Sequence, residues 1–262
     1  MEVGIEYIAI AILIMVVLTV LLAKQKLKQQ DLEKLIKHNN ERLEQLQLDF
    51  GRFAPQDVIE HITEGDGDYA PDKREVTVLF ADIKGFTRMC DQMDADIVVS
   101  ILNGYFQCMT EALAKHHGEV TEMMGDGLLA LFGAIRTNPW QIQDAVMGAL
   151  AMRESLKDYN RKLKSDGLPE LAIGIGIHRG EVLAGIMGNY KLSKFGVVGD
   201  TINVASRVEG LTRVLDVDIL VTEEVKQKLD ERFELTSMPA QHVKGKSDPI
   251  SIYLVEKMSP PS

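Results

Sequence analysis

Tyr7 to Ala23 (YIAIAILIMVVLTVLLA) runs without a charge or a proline, and Val3 to Ile5 extend it with Glu6 as the only interruption. Such a run approaches the roughly 20 residues that cross the hydrocarbon of a bilayer; a buried helix is the other structure that tolerates it. Glu2 and Glu6 in place of basic residues argue against a cleaved signal peptide. Lys24, Lys26 and Lys28 follow at once, and the positive-inside rule then places the rest of the chain in the cytoplasm. The pattern predicts a single-pass membrane anchor over residues 1–23. Beyond it, Leu32, Leu35, Asn39, Leu43, Leu46, Phe50 and Phe53 recur at spacings of three or four, while Glu33, Lys34, Glu41, Arg42 and Glu44 fill the other faces. A short, imperfect coiled coil over 24–54 buries that stripe, with Asn39 favouring one register. A lone amphipathic helix lying on the next domain is the alternative.

Gly51, Pro55, Gly65-Asp66-Gly67-Asp68 and Pro71 punctuate a linker over 55–73. From about residue 74 the texture turns mixed. Glu75–Ile83 reads as a buried strand and 92–116 as a helix; EVTEMM (119–124) and LLALFG (128–133), joined by Gly125-Asp126-Gly127, read as a hairpin. Asn138-Pro139 caps and opens a helix to about Leu163. Strands follow at Leu171–His178 and Val182–Met187, then a helix over 201–214 with Asp200 as its cap, a strand at Ile219–Val221, a helix at 222–230 and a strand at 250–255. The order predicts an α+β domain over 74–256 with a ferredoxin-like βαββαβ core, an antiparallel sheet with helices on one face, and a tail at 257–262.

Composition narrows the function. Apolar residues make up 45%, charged residues 26%, and the net charge is -10. That is globular composition, and its acidity argues against a nucleic-acid partner bound through phosphate neutralisation. Cys90 and Cys108 lack metal-ligand spacing and suit a reducing compartment. No histidine set has zinc-ligand spacing either, Met109, Met123 and Met124 read as core or hairpin packing, and the G-x-G of GIGIHRG sits inside a strand, which defeats a dinucleotide-binding reading.

Asp82 ends the first strand, and Asp126 tips the hairpin between the second and third. In a βαββαβ sheet these positions meet at one edge. Two carboxylates placed together repel unless a cation lies between them, and hard oxygen pairs suit Mg²⁺ or Mn²⁺ beside a substrate's phosphates. A two-metal phosphoryl-transfer site is the chemistry the pair predicts.

LFADIKGFT, MMGDGLLALFG, GIGIHRGEVLAGIMG and GVVGDTINVASRVE, in this order, resemble the class III nucleotidyl cyclase catalytic domain. The resemblance implies conversion of a nucleoside triphosphate to a 3′,5′-cyclic monophosphate and pyrophosphate, with two Mg²⁺ or Mn²⁺ ions, in a head-to-tail homodimer whose sites lie between protomers. It implies that Asp82, Asp126 and the Ile83 carbonyl hold the metals. The Gly85-Phe86-Thr87 turn would meet the triphosphate through its amides, in keeping with anion binding where backbone N–H groups cluster. Asn203 would orient the ribose, Arg207 would stabilise the transition state, and Lys244 would contact the terminal phosphates; Lys191, at looser spacing, stays outside the set.

Base choice rests on Glu122 and Gly196. Adenylate-type members carry lysine at the first position and usually aspartate or threonine at the second; guanylate-type members carry glutamate at the first. One glutamate accepts from both the ring N–H and the exocyclic amine of guanine, whereas against adenine it faces an unprotonated ring nitrogen. GTP is favoured over ATP. Two other functions compete: a catalytically silent, nucleotide-binding dimerisation module, and a diguanylate cyclase, whose GG[DE]EF hairpin is replaced here by Met124-Gly125-Asp126-Gly127. With so few residues ahead of the apolar run, a regulatory signal would enter through the anchor, a membrane-protein partner or soluble ligands.

Overall fold

The computed structural model describes residues 15, 24–26, 28–30, 32–43, 71–189, 192–242 and 248–259. The chain divides into two units, Met1–Phe53 and Ala54–Ser262. In the first, the described residues from 24 to 43 are helical, as the three-four spacing requires. Leu32, Leu35 and Leu43 are more than half exposed there, so a single chain leaves the apolar stripe uncovered. The anchor, apart from Met15, and residues 44–54 of the coiled-coil segment lie outside the described residues. So does nearly all of the linker.

The second unit is built on an eight-stranded sheet of order β2-β3-β1-β4-β6-β8-β7, with β5 paired to β4. Its elements are β1 (Asp72–Ile83), α1 (Phe86–Cys90), α2 (Ala95–Ala114), β2 (Glu119–Met124), β3 (Gly127–Phe132), α3 (Gln141–Ser165), β4 (Ile173–Asn189), β5 (Leu192–Val198), α4 (Asp200–Leu215), β6 (Ile219–Thr222), α5 (Glu223–Lys226), β7 (Phe233–Ser237) and β8 (Ile252–Met258). The sheet is mixed: β1 runs antiparallel to β3 and β4, while β4 and β6 are parallel.

Period-two alternation along β1 and β4 sorts the two faces. Leu79, Ala81, Ile83, Ile175 and Ile177 pack with Tyr105 and Met109 of α2 and Val146, Ala149 and Met152 of α3. Burial of such side chains contributes about 1.5–3 kcal/mol each. Among the described residues, α2 is the one helix long and apolar enough to cross a membrane; its buried face belongs to this core. On the opposite face Val76, Val78, Val182 and Ala184 pack with Phe195 of β5 and Ala205 of α4. Gly174, Gly176 and Gly180 of β4 also point to this face. A Cβ on Gly176 would lie 2.6 Å from Glu209 Cα and 2.7 Å from the Ala205 carbonyl oxygen, so glycine is what lets α4 lie this close to the strand.

Several expectations are corrected. The core helices α2 and α3 share one face as expected, but α4, which follows the core, covers the other. The two strands read at 171–178 and 182–187 are one 17-residue strand, because Arg179-Gly180-Glu181 carries the pleat through the polar interruption and pairs with Glu75, Val76 and Thr77. Strands β5 and β7 were not expected: LSKFGVV is interrupted by Ser193, Lys194 and Gly196, and FELTS is short with only two apolar residues. Asp200 is not the cap of α4: Gly199 holds that place and Asp200 lies in the first turn. Asn138 acts one step ahead of its helix, where its Oδ1 accepts from the Trp140 amide at 2.8 Å and its Nδ2 donates to Asp144 at 2.7 Å. Met123 and Met124 are about half exposed and are not core residues.

Candidate active site

Asp82 pairs in register with Gly174, and Ala81 with Leu128 at the start of β3. The hairpin that closes β2 onto β3 at Met124↔Gly127 therefore brings Asp126 beside Asp82. Burial, and then the neighbouring Asp82 carboxyl, push Asp126 up to about 6. Gly125 takes φ 65°, the left-handed turn that only glycine adopts without cost.

The guanidinium of Arg213, from the last turn of α4, donates to Asp82 Oδ2 and also lies 3.7 Å from Glu209 one turn before it. Glu209 is 8% exposed and its Oε1 has no hydrogen-bond partner. Burial, partly offset by Arg213, raises its carboxyl to about 7. Lys84, next to the end of β1, ties the same helix end down by donating to the Val217 carbonyl at 2.8 Å and to that of Thr212 at 3.4 Å. The cluster thus holds three carboxyl groups, and an arginine is drawn onto the one that ends β1. The Asp82 and Asp126 carboxylates are hard oxygen donors of the kind Mg²⁺ or Mn²⁺ takes, while Glu209 turns to Arg213; among the described residues no group of three or more His, Cys, Asp or Glu side chains is placed to hold a metal ion.

The neighbouring turn is built for close approach. Gly85 sits at φ 72° with open space where a Cβ would stand, and Thr87 is exposed. The Phe86 side chain is buried in the α2/α3 core, so this residue offers the turn its backbone alone. Ile83 likewise buries its side chain there.

Glu122 is half-buried on β2 and accepts a hydrogen bond from Lys194 Nζ of β5. Gly196, two residues along β5, pairs with Gly185, and a Cβ there would meet nothing within 4 Å. Asn203 is exposed on α4; Arg207 is half-buried, with Nη1 enclosed and lacking a hydrogen-bond partner. Neither joins Asp82. Gly174, beside Asp82, faces Thr212 near the far end of α4, and at 1.5 Å per residue Arg207 lies about 8 Å and Asn203 about 13 Å back along the axis. Lys244 and Lys191 lie outside the described residues.

The structure brings Asp82 to Asp126 beside the glycine turn, and it pairs Glu122 with Lys194, two residues before Gly196 on β5. It leaves Asn203 and Arg207 on a helix face directed elsewhere. Sequence reasoning missed Glu209, Arg213, Lys84 and Lys194. The first two had a signal: Gly174, Gly176 and Gly180 on one face of GIGIHRG mark a strand that another backbone approaches closely.

A family model described as the adenylate and guanylate cyclase catalytic domain matches residues 69–257. An adenylate cyclase of Anabaena cylindrica is 38% identical over 211 residues, which is 78% of this chain and 40% of that protein. The chain thus spans well under half of that relative's length. Among solved structures, the guanylyl cyclase Cya2 superposes with a TM-score of 0.69 at 33% identity, covering 73% of this chain and 96% of that one. The adenylyl cyclase CyaB from P. aeruginosa gives 0.67 at 26% identity, covering 71% and 96%.

Proposed function

We propose that this chain, which belongs to the adenylate and guanylate cyclase catalytic-domain family, cyclises a purine nucleoside triphosphate, GTP in preference to ATP, to the 3′,5′-cyclic monophosphate and pyrophosphate. The active unit is a homodimer with sites shared between protomers. The observation that carries this reading is the placement of α4. Asn203 and Arg207 are set roughly 8–13 Å along the helix from the Asp82 end, too far to serve that carboxylate pair within one chain. A second copy brings them over it.

In each site one protomer supplies Asp82, Asp126 and the Ile83 carbonyl as oxygen donors, with the Gly85–Thr87 amides and Lys244 directed at the triphosphate. The other supplies Glu122 to the base, Asn203 to the ribose, and Arg207 to the α-phosphate. Mg²⁺ or Mn²⁺ ions, when bound, lower the pKa of the ribose 3′-hydroxyl and neutralise the leaving pyrophosphate. The 3′-hydroxyl attacks the α-phosphorus in line, and the planar guanidinium of Arg207 matches charge spread over equatorial oxygens. Its enclosed Nη1, without a partner in the single chain, supports that role: a buried donor left unpaired costs about 1–3 kcal/mol until an acceptor arrives.

Guanine is favoured because Glu122 accepts from N1–H and the 2-amino group together, and Gly196 leaves room for the base. Membrane attachment through 1–23 and alignment of the two domains by a coiled coil over 24–54 complete the proposal, supported by the apolar run, its lysine flank and the uncovered leucine stripe.

Mixing tests the shared site. Asp82→Ala and Arg207→Ala chains, each inactive alone, regain up to about half of wild-type turnover as a heterodimer with one intact site in two, or about a quarter in an equimolar random mixture; no recovery in a verified heterodimer refutes the arrangement. Incubation with GTP or ATP and Mn²⁺, read by mass spectrometry, tests the base. Cyclic GMP as the main product supports Glu122 as its reader, and cyclic AMP refutes that reading.

A further inference from the structure

The ion pair between Lys194 and Glu122 joins strands 72 positions apart in sequence. It does little for the fold: the two side chains are 66% and 34% exposed, and such pairs contribute about 0–1 kcal/mol. It is placed, however, on the carboxylate that meets the substrate base. Phe195 is buried against the sheet and Val197 packs beside it, so Lys194, Gly196 and Val198 share the outward face of β5. Gly196 has open space where a side chain would stand. Lys194 lies two residues away, about 7 Å along the strand, which a lysine stem spans.

The Watson–Crick edge of guanine presents three groups in a row: the O6 acceptor, the N1–H donor and the 2-amino donor. Glu122 has acceptors for the two donors and nothing for O6. A lysine ammonium carries three donors, of which one serves Glu122. We propose that Lys194 is a specificity-determining residue that donates to guanine O6, supplying from two residues upstream the contact that Gly196 cannot make. The inference rests on the guanine reading of Glu122. It also explains why a bare glycine is compatible with base discrimination. The Lys194–Glu122 pair then satisfies all three groups of guanine, whereas adenine in the same position sets its 6-amino donor against the ammonium and its N1 acceptor against the carboxylate. Already paired, the two side chains hold each other at the base edge before substrate arrives.

The test uses the full 262-residue chain, purified in mild detergent with Mn²⁺, and compares kcat/KM for GTP, 6-thio-GTP and ATP in the wild type, Lys194→Met and Lys194→Arg. A lost charge-assisted hydrogen bond predicts that Lys194→Met loses about 10- to 100-fold on GTP and less than about 3-fold on ATP, while Lys194→Arg keeps most of the GTP rate. Sulfur at position 6 is a poor acceptor. The wild type is therefore expected to penalise 6-thio-GTP relative to GTP, and the penalty is expected to vanish in Lys194→Met. An unchanged GTP/ATP ratio, or a thio penalty that survives in Lys194→Met, overturns the role of Lys194 and leaves Glu122 standing. A wild type that prefers ATP overturns the guanine reading itself, before any variant is compared.

Discussion

Replacing Glu209 by glutamine tests the electrostatics beneath the carboxylate cluster. Glu209 is 8% exposed, packed under β4, with Oε1 unpartnered and Arg213 3.7 Å away. Its carboxyl is raised from an ordinary 4.5 to about 7, first by burial and further by Asp82 and Asp126, against the pull of Arg213. A carboxyl whose folded value exceeds its unfolded value binds its proton more tightly in the folded state. Its contribution to stability is therefore fully present below about pH 4.5, declines as the pH rises to about 7, and is lost above that. The displacement corresponds to at most about 3 kcal/mol. Glutamine has the same shape and does not ionise. In EDTA, with urea unfolding followed by circular dichroism, Glu209→Gln should match the wild type within about 1 kcal/mol at pH 5 and exceed it by about 1–3 kcal/mol at pH 8. Asp126 titrates in both proteins, so the difference between the two curves isolates position 209. An equal difference at both pH values, or a wild type that gains on the variant as the pH rises, refutes the reasoning and means that Arg213 holds Glu209 charged.

Arg213→Met should free Asp82 Oδ2 and tighten Mn²⁺ binding several-fold, measured as the loss of the free-ion signal in electron paramagnetic resonance; weaker binding would mean that the arginine organises the site. Gly176→Ala sets a Cβ 2.6 Å from Glu209 Cα and should cost more than about 3 kcal/mol or abolish soluble protein, whereas Gly196→Ala meets nothing within 4 Å and should leave the melting temperature within a few degrees. Asp144→Ala strands Asn138, bonded to it at 2.7 Å, and His117 at 3.2 Å; a loss of about 1–3 kcal/mol is expected in thermal unfolding.

The strands and helices that carry strong periodicity were legible in the sequence. EVTEMM forms β2 with the bounds its Gly-Asp-Gly link to the next run suggests, and Asp82 and Asp126 meet because strand order alone brings their ends together. The less legible parts are those where neighbours in space decide. Strand β5 is short and flanked by polar residues, and its place follows from pairing with the far half of β4. Glu209 and Arg213 read as ordinary charged positions of an amphipathic helix. Only the packing of α4 against a row of glycines turns one into a buried acid and the other into its neighbour's counter-ion. Lys194 was invisible for the same reason, since three strands, β3, β1 and β4, lie between its own and that of its partner in the sheet order.

The glycine row has a mechanical corollary. Helices that rest on a sheet through interlocking side chains can roll or slide by a rotamer step, because the layer between them is deformable. Beneath α4 that layer is missing at Gly174, Gly176 and Gly180, where added Cβ atoms would overlap the helix or its side chains, and Lys84 clamps the lower end. The helix is in effect bolted to the plate. Asn203 and Arg207 move only as the whole domain moves, so in the proposed dimer an activating stimulus acts as a hinge between two stiff bodies.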